Sequence, residues 1–128
     1  MIASCVGNFG ICAINDVDVI INQQLQAFIP HKDVIPEYFL EIVKISKDYF
    51  QMVATAATVG YVNQSGFANM PIFIMSLEEQ TAIVHHIETE TARIDAKIAK
   101  TQRIIELQKE YRTALISEVV TGKIKVTS

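Results

Sequence analysis

The sequence predicts an α+β protein: a small mixed α/β unit followed by one long C-terminal helix of coiled-coil type. Three observations carry this. The first 30 residues alternate short Val- and Ile-rich runs with Gly, Asn and Asp turn chemistry. From Pro36, apolar residues recur at helical spacing. Between Leu77 and Thr121 no Gly or Pro occurs, and apolar residues follow a heptad.

The elements follow in order. Met1 to Val6, Gly10 to Ile14, Val17 to Ile21 and Leu25 to Ile29 read as strands. Gly7-Asn8-Phe9-Gly10 and Asn15-Asp16 are the turns between them, and Pro30 ends the last run. Pro36 suits the first turn of a helix, where its missing N–H would have had no partner. Phe39, Leu40, Val43 and Lys44 then define a helical face. Ser46 is expected to cap a second short helix that turns Tyr49, Phe50 and Val53 inward and ends at Gly60. Asn63, Gln64, Ser65 and Gly66 read as a polar loop, and Ile72-Phe73-Ile74 as a last strand.

The long helix has explicit boundaries. Ser76-Leu77-Glu78-Glu79 is a capping box, in which the hydroxyl and the carboxylate each take one backbone N–H. Gly122 supplies the left-handed residue that ends the helix. About 45 residues at 1.5 Å each make roughly 65 Å of helix, several times the globular average. Such a helix needs a partner for its apolar stripe. The aliphatic seam residues are Val84, Ile87, Ile94, Ile98, Ile105, Leu115 and Val119. Thr91, Thr101, Gln108 and Arg112 interrupt it, which fits a bundled or antiparallel pairing better than a dry two-stranded zipper. Ile83, Ile104, Leu107, Tyr111, Ile116 and Val120 widen the stripe, as contact with more than one neighbour requires.

Composition narrows the function classes. The chain has 128 residues, half of them hydrophobic and a fifth charged, which suits one domain with a real core. No apolar run approaches the ~18 residues of a membrane span. Ile2, Ala3, Ser4 and Cys5 follow Met1 without a basic segment, so no secretory signal is expected and the cytoplasm is the expected location. Cys5 and Cys12 make neither a disulfide framework nor a zinc pattern, and read as reduced thiols packed in adjacent strands. Net charge is −3, all of it in residues 1–76, which hold three Lys and six acidic residues. That balance argues against a stand-alone nucleic-acid binder.

The sequence presents no active site. Neither G-x-x-x-x-G-K-S/T nor G-x-G-x-x-G occurs. His85 and His86 are adjacent on a helix and point to different faces, and His31 sits in a loop beside Pro30. Glu78 and Glu79 are explained by helix capping. No Ser or Cys has a context that activates a nucleophile. No catalytic residue, metal or cofactor is therefore expected.

One resemblance is specific. Leu77-Glu78-Glu79-Gln80, Ile83-Val84, Ile94-Asp95, Ile105-Glu106-Leu107, Tyr111 to Ser117 and Val120-Thr121-Gly122-Lys123-Ile124 follow one another in an order similar to the helical region of specificity subunits of type I restriction–modification systems. The ending L-I-S-x-x-V-T-G-K-I is its most distinctive part. Gly7 to Ile11, Ile21-Asn22-Gln23, Pro36 to Leu40, Gly60 and Asn69 to Ile72 resemble the C-terminal portion of that family's target recognition domain. Met75 and Ser76 stand where the family often has prolines, and the capping box takes over their role as a stop.

The resemblance implies residues 1–75 as a partial target-recognition domain, 76–122 as a spacer and dimerisation helix, and 123–128 as a tail. It implies that the N-terminal strands of the recognition domain are absent before Met1. It also implies partners: DNA, the methyltransferase and restriction subunits that perform the chemistry, and a second copy paired through the helix. The candidate base readers are Asn8, Asn22, Gln23, Gln24, Asn63, Gln64 and Ser65, since Asn and Gln can pair bidentately with adenine. Turn formation explains the same residues. Lys32, Lys44 and Lys47 are candidate phosphate contacts, or solvated surface charges. The alternative reading is a helical dimerisation or scaffold module that does not bind DNA.

Overall fold

The computed structural model describes residues 1–55 and 58–126, so the last two residues of the expected tail lie outside the described residues. It is α+β, as expected. Three short strands, β1 (Ile2–Ser4), β2 (Cys12–Ala13) and β3 (Leu25–Ala27), form an antiparallel sheet in the order β2-β1-β3. Four helices follow: α1 (Pro36–Ile45), α2 (Lys47–Val53), α3 (Gln64–Ala68) and α4 (Leu77–Val120). The chain forms two compact units, one of residues Met1–His85 and a second that begins at His86 within α4.

In the first unit β1 is central. Ala3 pairs with Cys12 on one side and Gln26 on the other. The expected turn between β1 and β2 is present, with Gly7 at φ 69° and Gly10 at φ 82°. A side chain at Gly10 would also place its Cβ 2.9 Å from the Lys44 carbonyl oxygen, so the turn lies directly against the end of α1. The core beneath the sheet is aromatic. Phe50 and Phe67 meet at a tilt with centroids 4.8 Å apart, and Phe28 meets Phe39 and Phe67 edge-on at 5.2 and 5.5 Å. Val43, Val62, Cys5 and Phe9 fill the space around them.

Several expected elements differ. Val17 to Ile21 is not a strand: Val17 and Ile20 are exposed, and Asn15 closes a local turn onto the Val17 carbonyl. A β-branched run becomes a strand only where packing gives it a pairing partner and a surface to cover, and this run stays exposed and pairs with none of the three strands. Ile72 to Ile74 forms no ladder either; the Phe73 carbonyl instead accepts the Tyr38 hydroxyl at 2.9 Å. Ser46 does not cap α2, because its hydroxyl donates back to the Ile42 carbonyl at 2.7 Å. α2 ends at Val53, where Ala54 is extended, well before Gly60. Phe50 is buried and Tyr49 half-buried as expected, but Val53 is exposed. The expected polar loop at 63–66 is the start of a helix, α3, which exists to bury Phe67.

α4 matches its expected span. The Ser76 hydroxyl accepts the Glu79 N–H at 3.3 Å, and the Glu79 carboxylate accepts the Ser76 N–H at 3.0 Å. At the other end, Gly122 at φ 74° lets the Lys123 N–H reach the Glu118 carbonyl and the Gly122 N–H reach that of Val119, a complete Schellman motif. Among the described residues no helix is long and apolar enough to cross a membrane.

Candidate nucleic-acid interface

All seven candidate readers are exposed. They fall into three segments, and the backbone brings these together at one end of β1. The Cys5 N–H donates to the Gln24 carbonyl at 2.8 Å, while the Cys5 carbonyl accepts the Val62 N–H at 2.9 Å. Two residues on, the Gly7 N–H donates to the Gly60 carbonyl at 3.1 Å, and Val6 bridges to Tyr61. Asn8 follows Gly7, Asn22 to Gln24 precede β3, and Asn63 follows Val62. One stretch of backbone, Cys5 to Gly7, thus holds all three segments.

The side chains in this group are not equivalent. The Asn22 oxygen accepts the Gln24 N–H at 3.0 Å, an Asx turn that starts β3. The Asn63 oxygen accepts the Gly66 N–H at 2.9 Å and caps α3. The Ser65 hydroxyl accepts from the Asn69 amide at 3.2 Å. Asn8, Gln23, Gln24 and Gln64 have no side-chain hydrogen bond among the described residues, so both their donors and acceptors face solvent.

The charges near the group are sparse. Lys44 is engaged by Glu41 at 2.6 Å. Lys47 lies beside the Gly7–Gly10 turn, its Cβ 3.7 Å from where a Gly10 Cβ would stand. Lys32 is exposed. His31 approaches Asp33 at 2.9 Å, with both side chains largely in solvent.

Burial raises the thiol pKa of Cys5, and burial also dominates a raised value at Cys12, where Lys44 acts in the opposite direction. Protonated thiols are poor nucleophiles. Both cysteines are free; Cys12 is half-buried in β2 beside β1, while Cys5 is buried just beyond the end of β1 and not in an adjacent strand. Among the described residues no group of three His, Cys, Asp or Glu could hold a metal ion.

The α4 seam divides by position. Val84, Ile87 and Val119 are half-buried. Ile94, Ile98, Ile105 and Leu115 are 39–51% exposed along the same helix, with Ile104, Leu107, Tyr111 and Ile116 also open. In solvent a stripe of this size is unusual for a monomer.

Gln80 is a functional candidate that its helix position alone does not reveal. It is fully buried and bonded to Asp33, Ile35 and Met75. The signal was present in the Leu77-Glu78-Glu79-Gln80 string. What was missing was the segment against which Gln80 packs.

Exposed amide side chains are thus gathered at one end of a small sheet, in a chain whose last helix carries an apolar stripe. The chain belongs to the type I restriction modification DNA specificity domain family, whose model matches residues 1–109. It is 26% identical over 95 residues to the type I restriction enzyme StySPI specificity subunit of Salmonella potsdam, an alignment that covers 73% of this chain and 20% of that protein. The chain therefore spans about a fifth of the length of that curated relative. No solved structure matches it.

Proposed function

We propose that this protein is a DNA-reading component of a type I restriction–modification complex and performs no catalysis itself. Residues 1–75 read one half-site, the helix within 76–122 pairs with a second copy and docks the methyltransferase subunits, and 123–128 form a tail. Methyl transfer and cleavage belong to the partner subunits. The observation that carries this reading is the gathering of Asn8, Asn22 to Gln24 and Asn63 to Ser65 around Cys5 to Gly7, in a chain of the specificity-domain family. Amide side chains at the rim of a sheet match the donor and acceptor pattern of major-groove base edges. The uncovered seam from Ile94 to Leu115 supports pairing.

A second reading is favoured by the charge. Residues 1–76 carry three Lys against six acidic residues, which is poor for neutralising phosphates. On that reading the chain is an assembly module that does not touch DNA. In the first reading partner subunits supply the phosphate contacts while this chain supplies readout. The deciding experiment is DNA binding and methylation by the chain together with its methyltransferase subunits, across a salt series and a randomised target library. A defined half-site supports the first reading, and complex formation with no base preference supports the second.

A further inference from the structure

Among the described residues, Gln80 stands alone as a buried polar side chain, with none of its surface exposed. Its oxygen accepts the Ile35 N–H at 2.8 Å, and its nitrogen donates to the Asp33 carbonyl at 2.8 Å and the Met75 carbonyl at 2.9 Å. These partners fix the amide one way round: flipped, it would set two donors against a donor and an oxygen against two carbonyls. We propose that Gln80 is a positioning residue that sets the rotation and height of the first turns of α4 against the 33–35 segment and α1.

α1 has no side-chain cap of its own. Its N-cap residue, Ile35, has no side chain able to cap, and Pro36 follows it with no N–H. In a capping box the third helical residue turns back to accept the N-cap N–H. α4 does this for itself, Glu79 serving Ser76. Gln80, the next residue, performs the same service for Ile35. Adjacent side chains therefore cap two different helices and join them.

The geometry tolerates little slack. A shift of one residue along α4 turns the helix by about 100° and raises it about 1.5 Å, presenting Glu79 or Thr81. Glu79 would bring a carboxylate to two carbonyls, and Thr81 is too short to span three partners. Gln80 also lies one heptad before Ile87, so it occupies the seam position that a partner helix would otherwise use. Because Asp33 and Ile35 fill that position, pairing begins at Val84 and Ile87. The joint thus defines where the seam starts, and, resting on the function proposed above, how far apart two readers are held.

The test uses the intact chain and two variants. Gln80→Leu removes all three bonds; Gln80→Glu keeps the acceptor for Ile35 and loses both donors. In the wild-type chain, amide exchange by NMR should find the Ile35 N–H protected, since Gln80 is its acceptor. In Gln80→Leu that exchange should accelerate by about tenfold or more, the loss of one hydrogen bond. An unprotected Ile35 N–H in the wild-type chain overturns the proposal, and this holds even if Gln80→Leu fails to fold. In the complex with methyltransferase subunits, the readout is methylation of a target whose half-sites are separated by one extra base pair. Wild type should reject it, and Gln80→Glu should accept it better while keeping the same base preference within each half-site. Rejection as strict as wild type overturns the positioning role. A wild-type complex with no base preference refutes the proposed function instead, and the exchange measurement then decides the role of Gln80.

Discussion

The Asn63 side-chain oxygen accepts the Gly66 N–H at 2.9 Å, which makes a candidate base reader the N-cap of α3. The relationship separates structural amides from available ones. Asn63→Ala should destabilise the fold by about 0.5–2 kcal/mol, the usual cost of an N-cap. Asn8→Ala, Gln23→Ala, Gln24→Ala and Gln64→Ala should each change stability by less than about 0.5 kcal/mol. Any of these four that reads a base should lose about 1–3 kcal/mol of discrimination at one position. Urea unfolding and target-library selection on the same variants measure the two effects. Four variants that all leave the base preference unchanged would remove these residues from the reading surface.

The aromatic core carries the first unit. Phe50 is 1% exposed and touches Phe9, Tyr49 and Phe67. Phe50→Ala should cost about 3–5 kcal/mol, a large share of the about 5–15 kcal/mol that small domains possess. The expected result in urea is a transition at much lower denaturant, or no folded baseline at all.

The capping box predicts a pH dependence. Hydrogen bonds from the Ser76 hydroxyl and backbone hold the Glu79 carboxyl below its ordinary value. A depressed carboxylate pKa contributes stability that is complete above the unfolded-state value and is lost as pH falls through the folded-state value. The start of α4 should therefore loosen on acidification. Ser76→Ala should return Glu79 toward an ordinary Glu titration, followed by NMR of its carboxyl carbon. An unchanged titration in Ser76→Ala would mean that the box does not form in solution.

The seam predicts the oligomeric state. The chain should sediment as a dimer at micromolar concentration, and Ile98→Asp with Ile105→Asp should make it a monomer. An unpaired charge in a buried seam costs on the order of 3–5 kcal/mol, a weakening of roughly a hundredfold or more. Circular dichroism should record lost helix as well, since an unpaired α4 is held by little tertiary contact. A wild-type monomer would sink the pairing; a double variant with unchanged mass would put the interface on another face of α4.

The thiols predict reactivity. With both pKa values raised, Cys5 should resist a disulfide reagent in the native chain and react once denaturant exposes it. Cys12 should react at an intermediate rate. Equal, fast reaction of both in native buffer would contradict the burial of Cys5.

What was legible in the sequence is what short-range chemistry determines. The bounds of α4 follow from Ser76, Glu79 and Gly122, because a capping box and a left-handed glycine act within a few residues. The Gly7–Gly10 turn and the start of α1 at Pro36 have the same local origin. The tertiary structure decided what depends on which partner is available. Val17 to Ile21 has strand composition but stays exposed and joins no strand of the sheet, and Asn63 to Gly66 became a helix start because Phe67 had a core to enter. The convergence of three polar segments on Cys5 to Gly7 comes from backbone bonds between residues up to 57 positions apart, as in Cys5 to Val62. Gln80 is the clearest case. The sequence marks it in a recognisable string, but its role requires Asp33 and Ile35 to arrive beside it, across more than 40 residues. No local propensity encodes that meeting, since the cost of burying an amide is met only by partners that folding brings to it.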